Sequence, residues 1–406
     1  MADGYASHFG IDNIPYGIGN SLSRPVPQAV TRINNTIIFL AELASTSTFT
    51  SVSTPSPLAT YFLQPTLNAF AALPKSVQSQ VRAAIQTSYT SNQHIPFSEP
   101  VENVALHLPI AIGDFTDYSA SQNHVLNAGE AVMGVRAYPP GFHAYPVGYA
   151  GRCSSIGVSP ALVQRPLGQY IEDYTVSEKK IIFGASRALD YELEVGAVIG
   201  TPVEPGSLLK AADADQHIFG LVLVNDWSAR DIQGLEMNPL GPFNGKNFRT
   251  SISPWIITLD ALKPYQVTAP PRMSPVAAFM DDDAAPNYGI KLKSEITRKG
   301  AKTTTCEVGF DTMYWTFRHM IAHHTIGGCG LRTGDLVASG TVSGDADHEH
   351  GCLLELTKNG KVPTKLSDGS ELRYLEDGDE VRYTGTVADG VGFGDIVGMI
   401  REAAKW

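Results

Sequence analysis

The sequence predicts a mainly β protein with α/β elements, in which a small N-terminal domain over residues 1–112 precedes a larger domain over residues 113–406. Two observations carry that expectation. From Gly113 onward, short runs rich in Val, Ile, Thr and aromatic residues recur between Gly and Pro turns, the spacing of a strand-rich body. Before Gly113 the chain carries Ser/Thr/Pro punctuation, with one strand pattern and one helix pattern, as expected of a small accessory domain. No internal repeat of fixed period is present.

Taken in order, Thr36 to Ala44 reads as a strand, the Ser/Thr-rich tract Ser45 to Ser56 as a surface loop, and Lys75 to Thr90 as an amphipathic helix. The apolar run Val101 to Ile112 closes the first domain. In the second, strands are expected within Ile181 to Gly200, His217 to Asp231, Ser253 to Leu262, Leu331 to Gly344, Cys352 to Gly360 and Gly378 to Val387. Asp311 to His323 repeats apolar residues near helical spacing, and the charged stretch Asp281 to Lys302 reads as an exposed hairpin or loop.

Composition narrows the function. An apolar content of 43% is ordinary for a soluble globular chain, and a net charge of -11 argues against nucleic acid or an anionic membrane as partner. Four widely spaced cysteines, no secretory leader pattern and no apolar run of roughly 18 residues point to a reducing, cytoplasmic setting.

The chemistry starts in FGASRALDYELEVGAVIG. Side chains alternate along a strand, so Glu192 and Glu194 share one face while Tyr191, Leu193 and Val195 take the other; Asp190 sits at the start of the acidic face. Acids crowded on an apolar strand repel and lose hydration, which protons or a divalent ion relieve. A second apolar strand, LVLVND, ends in Asp226, and the polar turn GDFTDYSASQNH carries Asp117 and His124. Carboxylates without thiolates select hard cations, Mg²⁺ or Ca²⁺, with Mn²⁺ as a third option. Arg230, Asp231 and Gln233 follow Asp226, Lys246 lies in a Gly/Asn-rich bend, and the small residues of ASGTVSG around Thr341 allow close ligand approach before Glu355. Singly, each has an ordinary reading as an edge-strand acid, a capped turn or a solvated loop. DADHEHG reads as a solvated loop and His323 with His324 as a helix end, so neither is taken as a metal site.

Together these segments, with PVGYAGRCSSI, RPLGQ, PLGPFNGKNF and GVGFGDIVG, resemble the fumarylacetoacetase family over essentially the whole chain. The resemblance implies an N-terminal SH3-like barrel, a C-terminal mixed β-roll and a homodimer. It implies Mg²⁺ or Ca²⁺ held at Asp117, Glu192, Glu194 and Asp226, and hydrolysis of a carbon–carbon bond in a 1,3-dicarbonyl substrate. In that frame His124 matches the water-activating base, oriented by Glu355; Arg230, Gln233 and Lys246 match the groups around the developing oxyanion; Tyr149 and Thr341 match substrate contacts. Three matched substrate positions depart: Ser119 follows Tyr118 where an aromatic is expected, Met237 replaces a tyrosine, and Met133 stands where an arginine is expected, leaving only the displaced Arg136. The expectation is a retained metal and base with altered recognition of the acid end. Lyase or tautomerase chemistry without water attack is the competing enzyme class, and a binding protein that kept the fold is the non-enzymatic one; retention of both His124 and Glu355 favours hydrolysis.

Overall fold

The computed structural model describes residues 4–282 and 285–406; positions 283 and 284, inside the charged stretch read as a hairpin, lie outside the described residues. The chain is mainly β. Its centre is a sheet of eight strands in which Leu193–Ile199 pairs antiparallel with Ile218–Asp226 on one side and Leu336–Ala338 on the other, with Phe115–Tyr118 and Gly148–Gly151 continuing outward. Every residue of the two central strands is buried. Apart from Glu194 in the first and Asn225 with Asp226 at the end of the second, their sequences are apolar on both faces, as a strand covered on both sides requires.

Alternation sends the two faces to different cores. Leu193, Val195, Leu221 and Leu223 point into a core shared with Leu292, Ile296, Val381, Tyr383 and Ile396. Those residues belong to a five-stranded sheet ordered Ala301–Gly309, Lys291–Arg298, Glu380–Ala388, Val391–Arg401, Ala161–Gln164. On the opposite face Val198, Val222, Val224, Leu336 and Ala338 pack with Ile14, Tyr16, Ile18, Phe62 and Phe70 of the N-terminal region. That region forms its own five-stranded sheet, ordered Ser98–Pro100, Thr36–Phe39, Gln28–Ile33, Tyr16–Asn20, Ala105–His107, with the helix Lys75–Thr90 burying Val81 and Ile85.

Four local expectations change. The first strand stops at Phe39, because Leu40–Leu43 turns into a helix that buries Leu40, Ala41 and Leu43. The charged hairpin is real, turning at Lys299 and Gly300, both of positive φ, but Lys291–Arg298 is an inner strand whose Leu292, Ser294, Ile296 and Arg298 are buried. Lys291, Lys293 and Glu295 alternate outward, which hides the buried face in a reading of composition. The expected helix at Asp311 begins at Phe317, since 310–312 forms only a 3₁₀ turn. Leu353–Leu356 is a single turn of helix, not a strand. Among the described residues all four cysteines are free, and no helix is long and apolar enough to cross a membrane.

Candidate active site

The register of the central sheet lines up the acids. Asp117 pairs with Ala338, Ala338 with Gly196, and Glu194 with Val224, two residues before Asp226. Asp117, Glu194 and Asp226 therefore extend the same face as Val198, Val222 and Val224, at the sheet end that the N-terminal core leaves uncovered. Glu192 precedes the strand in an isolated bridge to Cys352. All four carboxylates are buried. Oxygens of Asp117, Glu192 and Asp226 come within 4.8 Å of one another; Glu194 stands outside that trio. Both Glu194 oxygens and Asp117 Oδ1 are buried without a hydrogen-bond partner among the described residues.

Two cations serve this cluster. Lys246 Nζ contacts Glu192 Oε2 closely and Asp226 Oδ2 at 3.0 Å. Arg230 joins Glu192 Oε1 at 2.9 Å and Asp190 Oδ2 at 2.8 Å, and donates to Gln233 Oε1 at 3.1 Å. Asp190 turns away from the acidic face expected for it: its carboxylate accepts from Leu353 N at 2.7 Å and Leu354 N at 2.9 Å, anchoring the helix that carries Glu355. Five buried carboxylates, Asp117, Asp190, Glu192, Glu194 and Asp226, thus face two buried cations, Arg230 and Lys246.

The electrostatics follow from that imbalance. Burial, then Asp226, pushes the Asp117 carboxyl well above its usual range; burial, then Asp117 and Glu192, does the same to Glu194. Burial would also raise Glu192, but Lys246, Arg230 and His124 outweigh it and hold that carboxyl low. Unpartnered oxygens, an all-carboxylate donor set and an uncompensated negative charge are what a hard dication satisfies. The residues present fit one.

His124 lies beside this cluster, on a helix and not in the loop its polar surroundings suggest. Ser121 caps the helix Gln122–Met133, its Oγ accepting from His124 N at 3.2 Å, so the imidazole sits in the first turn. His124 Nδ1 meets Glu355 Oε2 at 2.8 Å, leaving Nε2 to act. Burial would raise Glu355, yet His124 and hydrogen bonds hold its carboxyl down at about 2. The same carboxylate accepts from Ser343 Oγ at 2.7 Å, Cys352 Sγ at 3.2 Å and Asn127 Nδ2 at 3.0 Å. A carboxylate, imidazole and open ring nitrogen in this order can take a proton from water.

The remaining sequence-predicted positions divide. Tyr149, paired with Asp117 across the sheet, donates to Asp226 Oδ2 at 2.9 Å, and Thr250 Oγ1 donates to Asp226 Oδ1 at 2.6 Å. Thr341 is buried with an unpartnered hydroxyl among the described residues; it follows Gly340, where a Cβ would lie 1.9 Å from Tyr118 O. Only glycine passes there. Met133 and Met237 are 69% and 50% exposed, and Ser119 is half-buried with its N–H bound to Val147 O. Gln233 Nε2 reaches Met237 Sδ at 3.8 Å. Arg136 points to Asn127 Oδ1 at 2.5 Å. Sequence reasoning missed Asn127, Ser343 and Thr250 as supports; each is a small polar residue, Ser343 inside the ASGTVSG motif and Asn127 and Thr250 two or three residues past another, the one signal available.

Residues 12–109 match the family model described as fumarylacetoacetase N-terminal, and residues 115–400 the model described as fumarylacetoacetate hydrolase C-terminal. The chain is 41% identical over 421 residues to a fumarylacetoacetase of Aspergillus fumigatus, covering 98% of this chain and 97% of that one. It is 39% identical to the fumarylacetoacetase of Arabidopsis thaliana (98% and 96% covered) and 36% identical to that of Homo sapiens (98% and 97%). Among solved structures, a fumarylacetoacetate hydrolase of Exiguobacterium antarcticum superposes with a TM-score of 0.54 at 15% identity, covering 96% and 99% of the two chains. A 2-hydroxyhepta-2,4-diene-1,7-dioate isomerase of Mycobacterium marinum superposes at 0.51 and 16% identity, covering 97% and 100%. At such identities the likeness is one of fold alone.

Proposed function

The chain belongs to the fumarylacetoacetase family, and from that premise we infer that it is a hydrolase cleaving the carbon–carbon bond of fumarylacetoacetate to fumarate and acetoacetate. The observation that carries this reading is the His124–Glu355 pair set beside buried carboxylate oxygens of Glu194 and Asp117 that lack a hydrogen-bond partner among the described residues. Water supplies its hydroxyl to the acyl carbon and its one remaining proton to the base, which passes it to the departing carbon as the carbon–carbon bond breaks, so the step needs a base, a group for the oxyanion and a sink for the enolate.

His124 Nε2 takes the proton from water while Glu355, held ionised, orients the ring and stabilises the imidazolium. Lys246, buried against Glu192 and Asp226, and Arg230, buried against Glu192 and Asp190, supply positive charge for the developing oxyanion, and Gln233, which accepts from Arg230, supplies an amide donor. Tyr149, whose hydroxyl donates to Asp226, and Thr341, whose buried hydroxyl has no partner among the described residues, are the assigned substrate contacts. Asp117, Glu192, Glu194 and Asp226 would hold Mg²⁺ or Ca²⁺, with Mn²⁺ as a third option. The ion when bound acts as a Lewis acid toward the diketone oxygens.

The acid end differs from the family's. Ser119, Met133 and Met237 supply one small hydroxyl and two exposed thioethers where donors are expected, and Arg136 is engaged elsewhere. Fumarylacetoacetate is therefore expected to bind more weakly here than in the family at large, with a preference for a less acidic or more apolar acyl end. M237Y lowering KM for fumarylacetoacetate supports this; an unmodified enzyme with ordinary family efficiency counts against it. A homodimer in the cytoplasm is the expected state. The edge strand Ala161–Gln164, with Leu162 half exposed, supports self-association, which light scattering measures. The reaction itself is tested by following cleavage in isotope-labelled water. Label in the released carboxylate is expected, whereas products without added water would point to a lyase or tautomerase.

A further inference from the structure

We propose that Arg136 is a positioning residue for the His124–Glu355 pair, acting through the side-chain amide of Asn127. The inference rests on the hydrolytic reading above. His124 and Asn127 lie three residues apart on the helix Gln122–Met133, so they share the face turned to Glu355. The helix ends at Gly134, whose φ of 72° is a left-handed C-cap, and the chain doubles back. Arg136 thereby returns along the helix that the chain has just left.

There its guanidinium donates to Asn127 Oδ1 at 2.5 Å and to Glu130 Oε2 at 3.3 Å, with Asp345 Oδ1 at 3.8 Å. A side-chain amide offers an oxygen that accepts and an amino group that donates. Arg136 claims the oxygen, which leaves the amino group to donate to Glu355 Oε1 at 3.0 Å. The reversed amide would turn its oxygen on a carboxylate and its donors on a guanidinium, repulsive on both sides. With Oε1 held by Asn127 and Oε2 held by Ser343, Glu355 keeps one orientation, the one that meets His124 Nδ1 at 2.8 Å. Glu130 and Asp345 are 58% and 89% exposed, so they steady the guanidinium weakly and leave the Asn127 contact as the one that bears on the site. Arg136 is itself 43% exposed, so its replacement disturbs no core.

The test is steady-state hydrolysis of fumarylacetoacetate by R136L, R136K, N127A and the double variant R136L/N127A, with H124N alongside. R136L is expected to lower kcat about 10-fold with KM unchanged within about 2-fold, the signature of a misoriented base and not of lost binding. R136K, which restores a donor to Asn127, is expected to recover most of that loss. The double variant should match N127A, because Arg136 acts only through that amide. Wild-type kcat in R136L, a loss confined to KM, no recovery in R136K, or losses that multiply in the double variant would each overturn the proposal. H124N separates the two levels. If it is inactive while R136L is normal, only this inference fails; if it turns over normally, the base assignment fails with it.

Discussion

His124 and Glu355 illustrate how one hydrogen bond divides labour between two titratable groups. With its carboxyl held down at about 2 by His124 and hydrogen bonds, Glu355 stays ionised well below neutral pH and keeps its hold on the ring. H124N should lower kcat by about 10²- to 10⁴-fold, the usual worth of a positioned base, and E355Q by less than H124N, since the ring loses its orientation but keeps its nitrogen. Steady-state kinetics checks both, and an E355Q loss larger than that of H124N would contradict the assignment. Glu194 makes a different case. Buried with both oxygens unpartnered among the described residues, its carboxylate is costly unless it is protonated or meets a cation. E194Q should therefore weaken divalent-ion binding in calorimetry by at least about 10-fold while leaving the empty protein as stable as the parent or more so.

Elements place these residues, and their energetics can be tested apart from catalysis. Ser121 caps the helix that carries His124, so S121A should cost about 1 kcal/mol in denaturant unfolding and lower kcat as well. On the helix Phe317–Thr325, His319 is buried against Trp315 and bonded to Thr316 Oγ1 at 2.7 Å; burial, then Arg272 and Arg318, lowers its pKa to about 3. As pH falls from 6.5 toward 3 the unfolded chain takes up that proton and the folded chain does not, so stability is present above the unfolded value and lost across this window. The loss is on the order of 3 to 5 kcal/mol, and H319Q should flatten the slope of unfolding free energy over the same window. An unchanged slope would refute it. Such elements were unevenly legible. Glu192, Glu194 and Asp226 stand out in sequence because acids interrupt apolar strands that have no other use for them. Leu353–Leu356 does not, because four apolar residues in a row have no period to distinguish a buried turn of helix from a strand. The roles of Asp190 and Asn127 were invisible for another reason. Asp190 caps a helix 163 residues away, and Asn127 meets Glu355 across 228 residues, contacts that only the folded sheet creates.

The whole molecule is arranged so that one sheet serves two ends of one face. Where Val198, Val222 and Val224 point, the N-terminal domain covers the sheet; where the same face runs on to Asp117, Glu194 and Asp226, it does not, and the apolar surface gives way to charge. Docking of the N-terminal domain therefore sets where the site begins. Charge balance at that end is a property of the entire assembly, since the acids come from three strands and their cations from two helices. A dication binding the folded chain but not the unfolded one should raise stability by about 2.7 kcal/mol at a hundred times its dissociation constant, seen as a concentration-dependent rise in Tm. The most direct test of the account is hydrolysis of fumarylacetoacetate by protein stripped with a chelator, then refilled with Mg²⁺ or Ca²⁺. The stripped protein should be nearly inactive and regain turnover on refilling in the parent but not in H124N. Full activity after stripping, or recovery in H124N, would contradict it.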